Sequence, residues 1–363
     1  MEHIAIVGGG VIGLMTALAL RQRSDCRVTV LERGQTGQEA SWAGGGIVSP
    51  LYPWRYAPPV TALARLAQAE YPRLANWLHE HTGIDPEYEA CGMLMLDADD
   101  SRDAQAWATA QGQPLEVVGG AGLYARFPFL ADGFHQGLWM PALANIRNPR
   151  LMKALRALLV GIDGVTLREQ AEVAALLQEG GQCQGLRLAS GERLHTDAVV
   201  VCGGAWSGQL LAGLGLRLPV RPVQGQMIIY KLAPGALPCM VMSQGRYLIP
   251  RRDGHVLCGS TLEDVGFAKA TTTEALASLR ASAESLWPVL RGLTPVAHWA
   301  GLRPASPNGI PFIGPVPAVP GLWVNAGQFR NGLVLAPASA GLLADLMLGR
   351  EPELGEGAYR VLG

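Results

Sequence analysis

Residues 4–20 read IAIVGGGVIGLMTALAL. Four apolar residues, Ile4–Val7, run into three glycines, and a second apolar run follows with helical spacing. A short β-branched run bounded by a turn is the pattern of a strand buried on both faces of a parallel sheet. Val11–Arg21 supplies a helix and Val28–Leu31 a second strand, so the segment predicts a βαβ unit of about 30 residues. Gly8, Gly10 and Gly13 fit G-x-G-x-x-G. In that pattern the first glycine permits the tight turn, the second lets the backbone approach a pyrophosphate, and the third lets helix pack on strand. The helix start offers unpaired N–H groups and a positive dipole end to phosphates. Glu32 ends the second strand about 20 residues after Gly13, where an acid binds ribose hydroxyls. The same acid repels a 2′-phosphate and so argues against NADP.

Further strand-then-glycine pieces lie far downstream. Ala198–Cys202 ends in Gly203 and Gly204, and Leu322–Ala326 ends in Gly327. Such pieces can share one doubly wound sheet, with nucleotide at the carboxyl ends of its strands. The intervening segments read differently. Arg221–Lys231 and Gly245–Ser260 look antiparallel, and the Asp253–Gly254 pair is a hairpin signal between two strands. Pro250 predicts an edge position or a bulge for the first of these. Gly92–Leu96 is a further short strand. The expected class is α/β, or α+β overall. A Rossmann-like nucleotide domain is built from 1–85, 146–220 and 300–363. A mostly antiparallel substrate domain is built from 86–145 and 221–299.

Composition narrows the function. A chain of 363 residues fits one very large domain or two interleaved ones, since single cores stop growing near roughly 250–300 residues. The net charge of −1 leaves no footprint for nucleic acid. The least polar stretch, Gly332–Ala344, is too short to span a bilayer. The chain runs from Met1 directly into a strand with no basic leader, which predicts a cytoplasmic protein. Six scattered cysteines form no C-x-x-C pair and predict free thiols of a reducing compartment. The seven histidines lack ligand spacing, so no metal site is expected. No G-x-S-x-G elbow is present.

Residues 39–49, EASWAGGGIVS, form a second small-residue loop soon after Glu32. Such a loop suits an extended cofactor, FAD, better than NAD. Here the sequence resembles the D-amino-acid oxidase family of flavoenzymes, and within it the glycine oxidase branch of thiazole biosynthesis. The matching pieces are VGGGVIGL from residue 7, Glu32-Arg33, ASWAGGGI from 40 and VVVCGGAWS from 199. They continue with RYLIPRRDG from 246, WAGLRPASPNGIPFIGP from 299 and GQFRNGLVLAP from 327.

The resemblance implies non-covalent FAD. Val11 and Ile12 give backbone to the pyrophosphate, and Glu32 and Arg33 hold the adenosine ribose and its surroundings. Ala40, Ser41, Gly45, Gly46 and Ile47 line the ribityl chain and flavin, and the Val173 backbone meets the adenine. Gln328, Phe329, Arg330, Asn331, Gly332, Leu333 and Val334 wrap the isoalloxazine ring. The last assignment has a physical reason: N–H groups at a helix start stabilise negative charge on a reduced flavin. Pro337 fits the first turn of that helix and would break a later one.

Arg303 lies among Ala300, Gly301, Leu302 and Pro304, poorly placed for solvent, and needs an anionic partner. A structural ion pair with one of the 30 acids is one candidate; a substrate carboxylate held bidentately is the other. The resemblance selects the carboxylate, shared with Tyr247. It places Arg330 near substrate or flavin, and Leu262 and the Pro50–Trp54 loop around the pocket. The implied reaction is oxidative deamination of glycine and other small amines or D-amino acids. The α-hydrogen leaves as hydride to flavin N5, the imino acid hydrolyses to an oxo acid and ammonia, and oxygen is reduced to hydrogen peroxide. A D-amino-acid or sarcosine oxidase or dehydrogenase, an NAD-dependent dehydrogenase and a non-catalytic flavin subunit are the alternatives. The sequence is compatible with a homo-oligomer.

Overall fold

The computed structural model describes residues 2–96 and 98–361. Met1, Leu362 and Gly363 of the expected nucleotide segments, and Asp97 of the expected substrate segment, lie outside the described residues. The chain begins β1 (His3–Val7), α1 (Val11–Arg23), β2 (Arg27–Leu31), α2 (Ala40–Ala43) and α3 (Pro58–Thr82). It continues β3 (Met93–Leu96), α4 (Ser101–Gln111), β4 (Glu116–Gly119), α5 (Ala121–Arg126), β5 (Gln136–Met140) and α6 (Asn148–Val160). Then come β6 (Val165–Arg168), β7 (Val173–Glu179), β8 (Gln182–Leu188), β9 (Arg193–His195), β10 (Ala198–Val201) and α7 (Ser207–Ala212). The remainder is β11 (Arg221–Lys231), β12 (Met240–Ser243), β13 (Arg246–Pro250), β14 (His255–Gly259) and α8 (Thr273–Leu286), followed by β15 (Ala297–Ala305), β16 (Phe312–Pro315), β17 (Leu322–Ala326) and α9 (Gly332–Met347).

The first sheet has the order β16-β17-β10-β1-β2-β6. All its pairs are parallel except β16 with β17. Its central strands are apolar on both faces because helices cover one side and the β7–β9 meander covers the other. Helix α1 is buried from Val11 through Leu20, all round its axis, because it packs against both the sheet and α9. The second sheet has the order β15-β11-β14-β13-β12-β3-β5-β4, antiparallel except for β12 beside β3.

Three expectations change, and one element was unforeseen. The boundary at 300 runs through β15, which pairs along its whole length with β11 in the eight-stranded sheet. Pro250 marks neither an edge nor a bulge: β13 lies inside the sheet, between β14 and β12. Pro250 is its last residue, opposite Val256, so the missing N–H interrupts no continuing ladder. The β7–β9 meander was not expected, although Gly180–Gly181 between β7 and β8 is a hairpin signal.

Pro337 is the third case. It stands inside α9, beyond the first turn, and the helix continues to Met347. A proline there leaves the carbonyl four residues back without its N–H donor. That carbonyl belongs to Leu333, and the hydroxyl of Tyr71 on α3 donates to it instead. Tyr71 is fully buried in the apolar stripe of α3 and supplies the donor across the helix–helix contact. Tyr71→Phe is expected to cost about 1–3 kcal/mol of stability, the penalty of an orphaned buried carbonyl. Denaturant unfolding of the variant measures this, and an unchanged midpoint would contradict the assignment.

Candidate active site

A cavity of about 480 Å³ opens at the carboxyl ends of β1, β2 and β10, between the first sheet and one face of the second. Gly8, Gly10, Val11, Ile12, Glu32 and Arg33 line it from the βαβ unit. Ala40, Ser41, Gly45, Gly46 and Ile47 line it from the small-residue loop, and Val173 from the start of β7. Gln328, Phe329, Arg330, Gly332 and Leu333 line it from the segment leading into α9. Segments some 300 positions apart therefore meet in one space.

Four expected residues do not line the cavity. Gly13 packs α1 on β1: a Cβ there would sit 1.9 Å from the Gly8 carbonyl oxygen. Asn331 is buried, with no partner for its Nδ2 among the described residues, and Val334 belongs to the core. Leu262 is 58% exposed on the surface loop after β14, so its expected place in the pocket is corrected. From the Pro50–Trp54 loop, Leu51 reaches the cavity.

The polar contacts define what each wall can do. Glu32 accepts from the Gly9 N–H (2.8 Å) and the Gly34 N–H (3.0 Å), so it braces the glycine turn as well as facing the cavity. The Val11 N–H donates to Ser41 Oγ at 2.9 Å, which places that hydroxyl beside the start of α1. Arg33 lies 3.7 Å over the Trp206 ring and pairs with Glu39 at 2.8 Å. Trp206 is a cavity residue that the sequence reading missed, although it stands in the quoted AWS. Arg251, also missed, is buried and donates to the Gly45 carbonyl (2.7 Å), the Ile146 carbonyl (3.0 Å) and Asn145 Oδ1. It ties the small-residue loop to β13, and burial pulls its guanidinium down to about 10. Cys202 lines the cavity, but burial pushes its thiol up to about 12. A thiol held protonated is a poor attachment point, in keeping with a non-covalent cofactor.

On the opposite wall, Arg303 and Tyr247 come together from β15 and β13. Arg303 Nη1 donates to the Gln224 and Thr261 carbonyls, each at 3.2 Å, and Nη2 to Ser260 Oγ at 2.7 Å. All three acceptors are neutral, so the charge is oriented without being neutralised. Burial pulls the guanidinium below its ordinary value, and the Tyr247 hydroxyl acts in the opposite sense. A backbone bridge from Ala305 to Gln328 links this strand to the segment before α9. The arrangement offers a dinucleotide cradle on one side and a carboxylate-sized cationic clamp on the other.

The loop bearing Leu51 is held by Asp100. Trp54 Nε1 donates to its carboxylate at 2.7 Å, and Arg55 donates twice, at 2.6 and 2.8 Å. The Arg55 hydrogen bonds lower the Asp100 carboxyl to about 2. A carboxyl lowered on folding stabilises the fold above its unfolded value and loses that contribution as pH falls through its folded value. Stability should therefore fall from about pH 4 toward pH 2 more steeply in the unmodified protein than in Asp100→Asn. Equal slopes in acid unfolding titrations would remove Asp100 as the loop's anchor.

A model of the family described as "FAD dependent oxidoreductase" (DAO) matches residues 3–346. The chain belongs to this family. It is 54% identical over 362 residues to a glycine oxidase of Pseudomonas aeruginosa, covering 100% of this chain and 99% of that one. It is 30% identical over 354 residues to a bifunctional protein ThiO/ThiG of Trichormus variabilis, covering 96% of this chain and 53% of that one. The crystal structure of glycine oxidase from Geobacillus kaustophilus superposes with a TM-score of 0.92 at 28% identity, covering 100% and 99% of the two chains. No described helix is long and apolar enough to cross a membrane.

Proposed function

We propose that the chain is a FAD-dependent oxidase of glycine and other small amino acids, forming the imino acid that hydrolyses to an oxo acid and ammonia. The observation that carries this reading is Arg303: a guanidinium facing a dinucleotide-type cavity whose protein contacts all go to neutral oxygens. Such a charge is completed by a ligand carboxylate. The identity to glycine oxidases over the whole chain supports the same substrate class. The likeness to a ThiO/ThiG protein supports a role in thiazole synthesis.

FAD, when bound, supplies the two-electron acceptor. The residues present fit it: the Gly8–Gly13 turn for the pyrophosphate, Glu32 for the ribose, and Gln328–Leu333 with the start of α9 for the ring. Arg303 and Tyr247 hold the carboxylate and so aim the α-carbon at the ring, and orientation and electrostatics carry most of the work. Arg330, from the segment before α9, adds positive charge to the cavity and acts on Arg303 across it. The six-stranded sheet serves the cofactor and the eight-stranded sheet the substrate. Oxygen is the proposed acceptor and the cytoplasm the proposed compartment, in keeping with six free cysteines. Hydrogen peroxide release is to be assayed with glycine, sarcosine and D-alanine. Peroxide formed with glycine supports the reading; electron delivery to an artificial carrier without peroxide would make the enzyme a dehydrogenase.

A further inference from the structure

The register of the second sheet places Arg303, Gly301 and Trp299 of β15 opposite Val223, Gly225 and Met227 of β11. Met227 lies opposite Gly259 of β14, and Gly259 opposite Tyr247 of β13. Residues directly opposite in an antiparallel pair project from the same face. The clamp side chains therefore share their face with three glycines, one on each of three adjacent strands.

Those glycines are not equivalent. A Cβ at Gly301 would meet Ala43 of α2 at 2.5 Å. One at Gly259 would meet Met227 Cε and Tyr247 Cε2, both at 2.9 Å. One at Gly225 would meet both Nη atoms of Arg303 at 2.1 Å, and nothing else so closely. The guanidinium thus lies flat across β11 in space that only a missing side chain leaves. From there it reaches the Gln224 and Thr261 carbonyls and the Ser260 hydroxyl.

We propose that Gly225 is a positioning residue for carboxylate recognition, a seat that sets the depth of the Arg303 guanidinium, while Ser260 fixes its rotation. The guanidinium's remaining N–H groups then face the substrate. This rests on the carboxylate reading of Arg303 given above. Gly225 has an ordinary strand backbone, outside the left-handed region, so alanine can adopt it. The atoms an alanine would displace are the end of a flexible side chain. The strand stays and the arginine moves.

The test compares Gly225→Ala, Ser260→Ala and Arg303→Ala in the FAD-loaded enzyme. Three probes separate the groups: glycine, acetate (carboxylate without amine) and glycine ethyl ester (amine without free carboxylate). Gly225→Ala is expected to raise the glycine KM and the acetate inhibition constant about tenfold or more, with kcat changed less than about threefold. The kcat/KM for the ester should stay within about twofold, and Ser260→Ala should show the same split at about threefold. A merely structural glycine would change ester and glycine alike, or lose FAD, and that result overturns the seat. Unchanged glycine and acetate constants in Gly225→Ala, with Arg303→Ala impaired, also overturn it and leave the function standing. Unchanged constants in Arg303→Ala overturn the carboxylate reading itself.

Discussion

Arg303→Ala raises the glycine KM by about thirtyfold or more, because removing one member of a desolvated, hydrogen-bonded charge pair costs about 2–5 kcal/mol. FAD stays bound in this variant, since the hydrogen bonds of Arg303 go to β11 and to the residues after β14, in the substrate sheet rather than the glycine turn. The loss is selective: the Gln224 and Thr261 carbonyls and the Ser260 hydroxyl remain in place, but the carboxylate has no cation to meet. Tyr247 alone supplies one hydrogen bond from an uncharged donor, without the ion pair or the second prong that the guanidinium gives. Arg303→Lys restores only part of the loss, because an ammonium cannot form the planar two-pronged contact. Steady-state kinetics with glycine, beside the flavin content of each preparation, measures both halves of this expectation. A KM within twofold of the unmodified enzyme would remove the clamp.

The second large effect lies at the other end of the cavity. Gly13→Ala places a Cβ 1.9 Å from the Gly8 carbonyl, which is backbone and has nowhere to go. Gly8 itself, at φ +116°, is already wedged, since a Cβ there would sit 2.4 Å from the Cys202 carbonyl. The start of α1 must therefore move off β1, at a cost of about 1–3 kcal/mol or more. The amides that face the cavity move with it, so FAD affinity falls about ten- to a hundredfold and the purified protein is pale or colourless. Gly34→Ala serves as a control, because its nearest neighbour to a Cβ is the Glu32 carboxylate at 3.8 Å. Retention of full FAD by Gly13→Ala would contradict the role of the close helix–strand contact.

The parts of the fold legible in the sequence are those with local signals. Glycines punctuate the ends of β1, β10 and β17, and the β-branched runs before them leave little choice of element. The Arg221–Lys231 strand and the Asp253–Gly254 hairpin follow from composition and turn chemistry in the same way. What escaped the sequence is non-local. Arg303 stands in a segment expected to serve the cofactor, yet pairing with β11 carries it into the substrate sheet. Pro337 reads as a helix breaker until Tyr71, from another helix, satisfies the carbonyl it orphans. Trp206, Arg251, Ser260 and Gly225 carry no motif of their own. Each acquires its place from register or from a partner more than 30 positions away. Leu262, named from its position in the family pattern, proves to be surface.

The most direct measurement is an anaerobic titration of the purified FAD-loaded protein with glycine, following the flavin's visible absorbance. Bleaching with glycine, reversed on admitting air with formation of hydrogen peroxide, is the expected result; ethylamine, which has no carboxylate for Arg303, should need a concentration at least about tenfold higher to bleach it to the same extent. A flavin spectrum untouched by glycine, sarcosine and D-alanine would contradict the proposed amino-acid oxidase.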